Sequence, residues 1–190
     1  MTRLLSRRRL LGVAAGGVAL ATVRVPAAPA ASDDELAYAN FGLAASFLAA
    51  DYYLRAAESG KLGAGARPKL RSNRAGSLAQ ARALGDLVTG AGDTPAAAED
   101  FDFAWPTNAF ATAANARRTG LAVLRPTLGA YQSAAATVAV PTYRVLYASL
   151  GASLGQQIGA LAGPAGARLE PFPVAMELEA ASAALESYLG

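Results

Sequence analysis

From Leu36 to Ser59 the chain runs without a proline and with a single glycine, and its apolar residues recur at helical spacing rather than in alternation. Leu36, Leu43, Phe47 and Leu54 form one stripe, and Phe41, Leu48 and Tyr52 form a second. A helix that is apolar around so much of its circumference has to be buried on most sides. The same period returns in further stretches downstream, and no β-rich alternating run occurs anywhere. The spacing therefore predicts an all-α fold.

Local signals divide this pattern into helices. Ser32-Asp33-Asp34-Glu35 reads as the start of the first, with Ser or Asp to cap it and acids in its first turn, and Gly60 as its stop. A second is predicted from Lys69 or Leu70 to Thr89, on Leu70, Leu78, Leu84, Leu87 and Val88. Residues 91–107 read as a long loop, pinned to the helices by Phe101, Phe103 and Trp105, with a ligand lid as the alternative. Thr107 or Asn108 caps a third helix running to Leu124, where Arg125-Pro126 breaks or kinks it, and 127–140 is a loop or short helix. A fourth is predicted from Thr142 to Ala162. It carries Leu146, Leu150, Leu154 and Ile158 beside Gly151, Gly155 and Gly159. Small residues at that spacing suit a close helix contact inside the domain or, alternatively, a subunit contact. Gly163-Pro164 ends it, Leu169 to Pro173 is extended, and Val174 to Leu189 is a short fifth helix with Glu177, Glu179 and Glu186 outward.

Ahead of these helices lies a leader. Ser6-Arg7-Arg8-Arg9-Leu10-Leu11, the uncharged run Leu10 to Val23 and the small-residue site Ala28-Pro29-Ala30 have the order of a signal peptide. Arg7 and Arg8 match the twin-arginine export signal of bacteria. The expectation is a signal peptide over 1–30 and one helical domain over 31–190. The twin-arginine translocase would export it, already folded, to the periplasm or cell envelope. The leader's apolar run is short for a span of roughly 20 residues, so an uncleaved anchor is the alternative, and no stable membrane span is expected in the mature chain.

Five of the 17 basic residues (Arg3, Arg7, Arg8, Arg9 and Arg24) belong to the leader, leaving 12 against 14 acids. The sequence pI of 9.4 is thus a property of the whole chain and does not argue for nucleic acid as a partner. Lys61, Arg67, Lys69, Arg71 and Arg74 still crowd together, read as a solvated turn and helix start or, alternatively, as a face for an anionic surface. There is no cysteine and no histidine. That excludes disulfides, Ser-His-Asp and Cys-His catalysis, and the usual zinc sites. Asp51 beside Tyr52 and Tyr53, and Glu99-Asp100-Phe101-Asp102, are weak candidates for acid/base chemistry and for calcium.

Local sequence adds a resemblance. Leu43 to Tyr53, with Ser46, Phe47, Asp51 and Tyr52 inside it, resembles the first helix of exported ferritin-like domain proteins of the desiccation-related type. Ser77-Leu-Ala-Gln80 looks like the second helix of that family, Arg117-Arg-Thr-Gly120 like the third, and Gly151-Ala-Ser-Leu154 falls where the fourth would carry ligands. The resemblance implies an antiparallel four-helix ferritin-like bundle with a short C-terminal helix. It also implies that the di-metal positions have degenerated to Ser46, Ser77, Gln80, Arg117, Gly151 and Leu154, none of them a usual ligand. Independently of any alignment, no Asp or Glu occurs between Thr107 and Gly163. The expectation is a protein with no catalytic residue, no metal and no cofactor, in which Arg117 faces solvent or pairs with Asp51 or Asp86. Its role would be structural, stress-related or binding, with homo-oligomers through helix faces. The alternatives are a carrier of a small apolar ligand in the bundle core and an enzyme of unrecognised type.

Overall fold

The computed structural model describes residues 32–162 and 174–189. The leader, with Arg7 and Arg8, the Gly163-Pro164 stop and the extended 169–173 stretch fall outside them. The described chain is all-α: α1 Asp33–Ser59, α2 Arg67–Gly90, α3 Ala113–Thr137, α4 Pro141–Ala162 and the short α5 Leu178–Leu185. No helix among the described residues is long and apolar enough to cross a membrane.

α1 starts at a full capping box. The Ser32 hydroxyl accepts from the Glu35 backbone N–H, and the Glu35 carboxylate accepts from Ser32 N at 2.8 Å. It stops at Gly60, whose left-handed φ of 66° suits a residue without Cβ. α2 begins two residues earlier than Lys69, because Pro68 fits the first turn, where its missing N–H costs nothing.

The third helix departs most from the sequence expectation. It is capped by Thr112, whose hydroxyl accepts from Asn115 N at 3.1 Å, and it runs through Pro126 to Thr137 without breaking. The proline removes one hydrogen bond, to the carbonyl of Ala122. Ala122 is exposed, so water can take that place, while burial of Pro126 and the turns after it holds the helix together. The fifth helix is shorter than expected. Residues 174–177 are irregular, and Glu186–Tyr188 form a 3-10 turn.

Contacts at matched heights fix the helix directions. Gly42 faces Leu84 and Tyr131, Tyr52 reaches Ala116, and Tyr53 reaches Gln157. Near the other end of α1, Glu35 meets Val140 and Tyr147. Thus α1 runs against α2 and α3 and along α4, so α2 and α3 point the same way. The connection Ala91–Thr112 must travel the length of the bundle between them. It passes Phe101 against Phe47 and Trp105 against Tyr52, and the tail closes on it through Ala104 N to Tyr188 O at 3.0 Å. α5 lies over α1 and α3; the chain reaches it past Gly129, where Met176 N donates to the glycine carbonyl at 3.0 Å. Among the described residues the core cluster spans Tyr38 to Leu185.

Candidate functional site

Five of the six positions implicated by the resemblance point into the space between the long helices. Ser46, Ser77, Gln80, Gly151 and Leu154 are all buried. Arg117 is not among them. It is exposed, one residue past the inward-facing Ala116, and a step of one residue turns a helical side chain by about 100°. Nor does it pair with Asp51 or Asp86. Asp86 is exposed, and Asp51 accepts from Arg55 Nε at 2.6 Å and from Trp105 Nε1 at 2.7 Å.

The inward residues form a neutral polar seam. Gln80 Nε2 donates to Ser153 Oγ at 3.1 Å, Gln157 Nε2 donates to the same oxygen at 3.3 Å, and the Tyr53 hydroxyl donates to Gln157 Oε1 at 2.7 Å. α1, α2 and α4 are thereby joined at one height. The hydroxyls of Ser46 and Ser77 are buried there without a hydrogen-bond partner among the described residues.

Tyrosines join the leucines, valines and alanines of the core in filling the rest of the interior. The Tyr52 hydroxyl donates to Ala116 O at 2.9 Å, and its ring fills the notch at Gly120. The Tyr131 hydroxyl donates to Gly42 O at 3.3 Å, and a Cβ on Gly42 would lie 2.8 Å from that hydroxyl oxygen. Tyr147 donates to Glu35 O at 3.3 Å and Tyr38 to Ser133 Oγ at 3.1 Å. Burial raises the pKa of four buried phenols and so weakens them as acids: Tyr131 is pushed up to about 12, and Tyr52, Tyr53 and Tyr147 are raised further. They stay neutral at any physiological pH and act as bolts between helices rather than as bases.

No family model, curated protein or solved structure matches the chain. The chemistry therefore has to be read from the donors themselves. A di-metal site in a four-helix bundle needs inward carboxylates from all four helices and, as a rule, histidines. The seam offers alcohol and amide oxygens, a glycine and a leucine, and these do not fit the group. Among the described residues no three Asp, Glu, His or Cys side chains come together to hold a metal ion. Glu99, Asp100 and Asp102 are included in that statement. They are exposed, and Asp100 is occupied by the backbone N–H of Ala97 at 2.7 Å.

Sequence reasoning missed one inward carboxylate. Glu35 is only 2 % exposed. One of its oxygens caps α1, and the other accepts from Val140 N at 3.0 Å, at the start of α4. A carboxylate between two helix N-termini sits in favourable partial charge and keeps both orphan donors satisfied. The Ser-x-x-Glu spacing of a capping box was the available signal. Its second partner, 105 residues away, had none. Of the glycines spaced by four on α4, Gly151 touches Leu128 and Tyr131, whereas Gly155 and Gly159 meet no other helix among the described residues.

Proposed function

We propose that the chain is an exported, non-enzymatic ferritin-like four-helix bundle in which packing and neutral hydrogen bonds have replaced a di-metal centre. Its role is structural or stress-related, in the periplasm or cell envelope. One observation carries the reading: the buried positions Ser46, Ser77, Gln80, Gly151 and Leu154 lie between the four long helices and hold no metal-ligating side chain. The helix directions support it, since one long crossover between the second and third helices is the connection ferritin-like bundles use. Folded export through the twin-arginine route fits a helical bundle, whose local contacts favour fast folding.

Close packing favours this role over that of a core carrier: tyrosine rings fill the notches at Gly42 and Gly120, and Gly151, one of the small residues at the emptied site, lies against Leu128 and Tyr131. Native mass spectrometry with metal analysis, on the protein from its own envelope, tests the reading. The bare mass of the chain or of a homo-oligomer is expected. A bound organic molecule of several hundred daltons would favour the carrier, and catalytic oxidation of ferrous iron would refute the proposal.

A further inference from the structure

The topology gathers positive charge at one end of the molecule. Lys61, Arg67, Lys69, Arg71 and Arg74 occupy the α1–α2 turn and the first turns of α2, and all are exposed. Because α3 starts at the same end, Arg117 and Arg118 join them from a distant part of the sequence; Arg117 lies close enough to Tyr52 for its charge to act on that hydroxyl. Arg55, on the last turns of α1, completes the group. The acids that face it are Asp51, already held by Arg55 and Trp105, Glu58 on α1, and Asp102, which shares a cleft with Arg55 and Arg74. Among the described residues, Arg55 is the one cation of the group with an ion-pair partner. The opposite end carries the exposed acids Asp33, Asp34 and Asp86 and the buried Glu35, against one exposed cation, Arg144, at the start of α4. The described residues are thus electrically polarised along the bundle axis, with cations gathered toward one end and a net acidic charge toward the other.

We propose that this basic end docks on the surface of an anionic phospholipid bilayer, with the bundle standing end-on. The cations project from helix ends and a turn, a layout suited to a plane of headgroups rather than to a strand lying in a groove. No aromatic ring stands exposed among them, so the stacking platform that single-stranded nucleic acid uses is missing in the described residues. The turn itself, Leu62 to Ala66, is small and uncharged, which lets the flanking cations approach the surface closely. Each basic side chain near an anionic leaflet strengthens binding by about fivefold, and the attraction fades within a Debye length.

The test is co-sedimentation of the chain beginning at Ala31 with vesicles of phosphatidylglycerol and phosphatidylcholine, against vesicles of phosphatidylcholine alone. Binding to the anionic vesicles only is expected, with loss at ~1 M salt, where screening acts within about 3 Å. The pair Lys69→Gln and Arg71→Gln weakens binding by about 25-fold. The pair Arg82→Gln and Arg125→Gln, exposed on the flanks of the bundle, leaves it unchanged. All four side chains are exposed, so the variants fold. Equal binding to both vesicle types, or indifference to the first pair, overturns the proposal. So does binding to inorganic polyphosphate without binding to vesicles, which marks a polyanion site. Pelleting without vesicles, relieved by Asp33→Asn and Asp34→Asn, marks head-to-tail stacking of copies and also overturns it.

Discussion

Two pairs of glycines in this molecule do opposite things. Gly42 and Gly120 lie on the inner faces of α1 and α3, and each receives a tyrosine from a neighbouring helix. Gly155 and Gly159 lie on the outer side of α4, with no atom of another described residue near the place a Cβ would take. The first pair makes room for the phenols that fill the interior and bolt the helices together. The second only weakens its own helix, by about 1 kcal/mol per residue relative to alanine. A glycine is informative through what lies opposite it, and a regular repeat of glycines says little until the partner is known.

The same substitution should separate the two regions. Gly120→Ala pushes a methyl into the Tyr52 ring and should cost about 3 kcal/mol, the range of an overpacked core, measured by urea unfolding. Equal stability of the variant would break the comparison. Tyr131→Phe sharpens it through pH. The folded phenol ionises near 12 and the unfolded one near 10, so the native state is penalised progressively as pH rises from 10 to 12. The phenylalanine variant should escape about 2 kcal/mol of that loss while differing little at pH 7. Gly155→Ala, at an open helical position, should stabilise by about 0.5–1 kcal/mol. Destabilisation would mean that this face of α4 is covered in solution. Ser77→Ala deletes a buried hydroxyl with no partner among the described residues and should lie within about 0.5 kcal/mol of the parent. A cost above 1 kcal/mol would show that the hydroxyl is bonded.

These contrasts explain which parts of the molecule could be read from the chain. α1, α2 and α4 were legible within about two residues because their starts and stops are local: Ser32 with Glu35, Pro68, Gly60. α3 was misread because Pro126 is a strong local signal that burial overrides, and because Thr112, not Thr107, supplies the cap. The inward positions Ser46, Ser77, Gln80 and Leu154 follow from helical spacing combined with the family resemblance. Arg117 does not, since a one-residue slip exchanges the inside of a helix for the outside. The hydrogen bonds that close the interior, such as Tyr53 to Gln157 and Glu35 to Val140, link residues 104 and 105 positions apart. Nothing in the local sequence encodes that pairing. The basic end had the same fate: its run from Lys61 to Arg74 is visible in the sequence, but Arg117 and Arg118 reach it only through the crossover.

We propose that the interior is closed by its own side chains and offers a metal ion no ligand set. The most direct test is thermal unfolding of the chain beginning at Ala31, under anaerobic conditions, with and without excess ferrous iron or manganese. A ligand that binds only the folded state raises its stability in proportion to the logarithm of its concentration over Kd. The same Tm is expected with and without the ions. A Tm that climbs steadily with metal concentration would contradict the proposal.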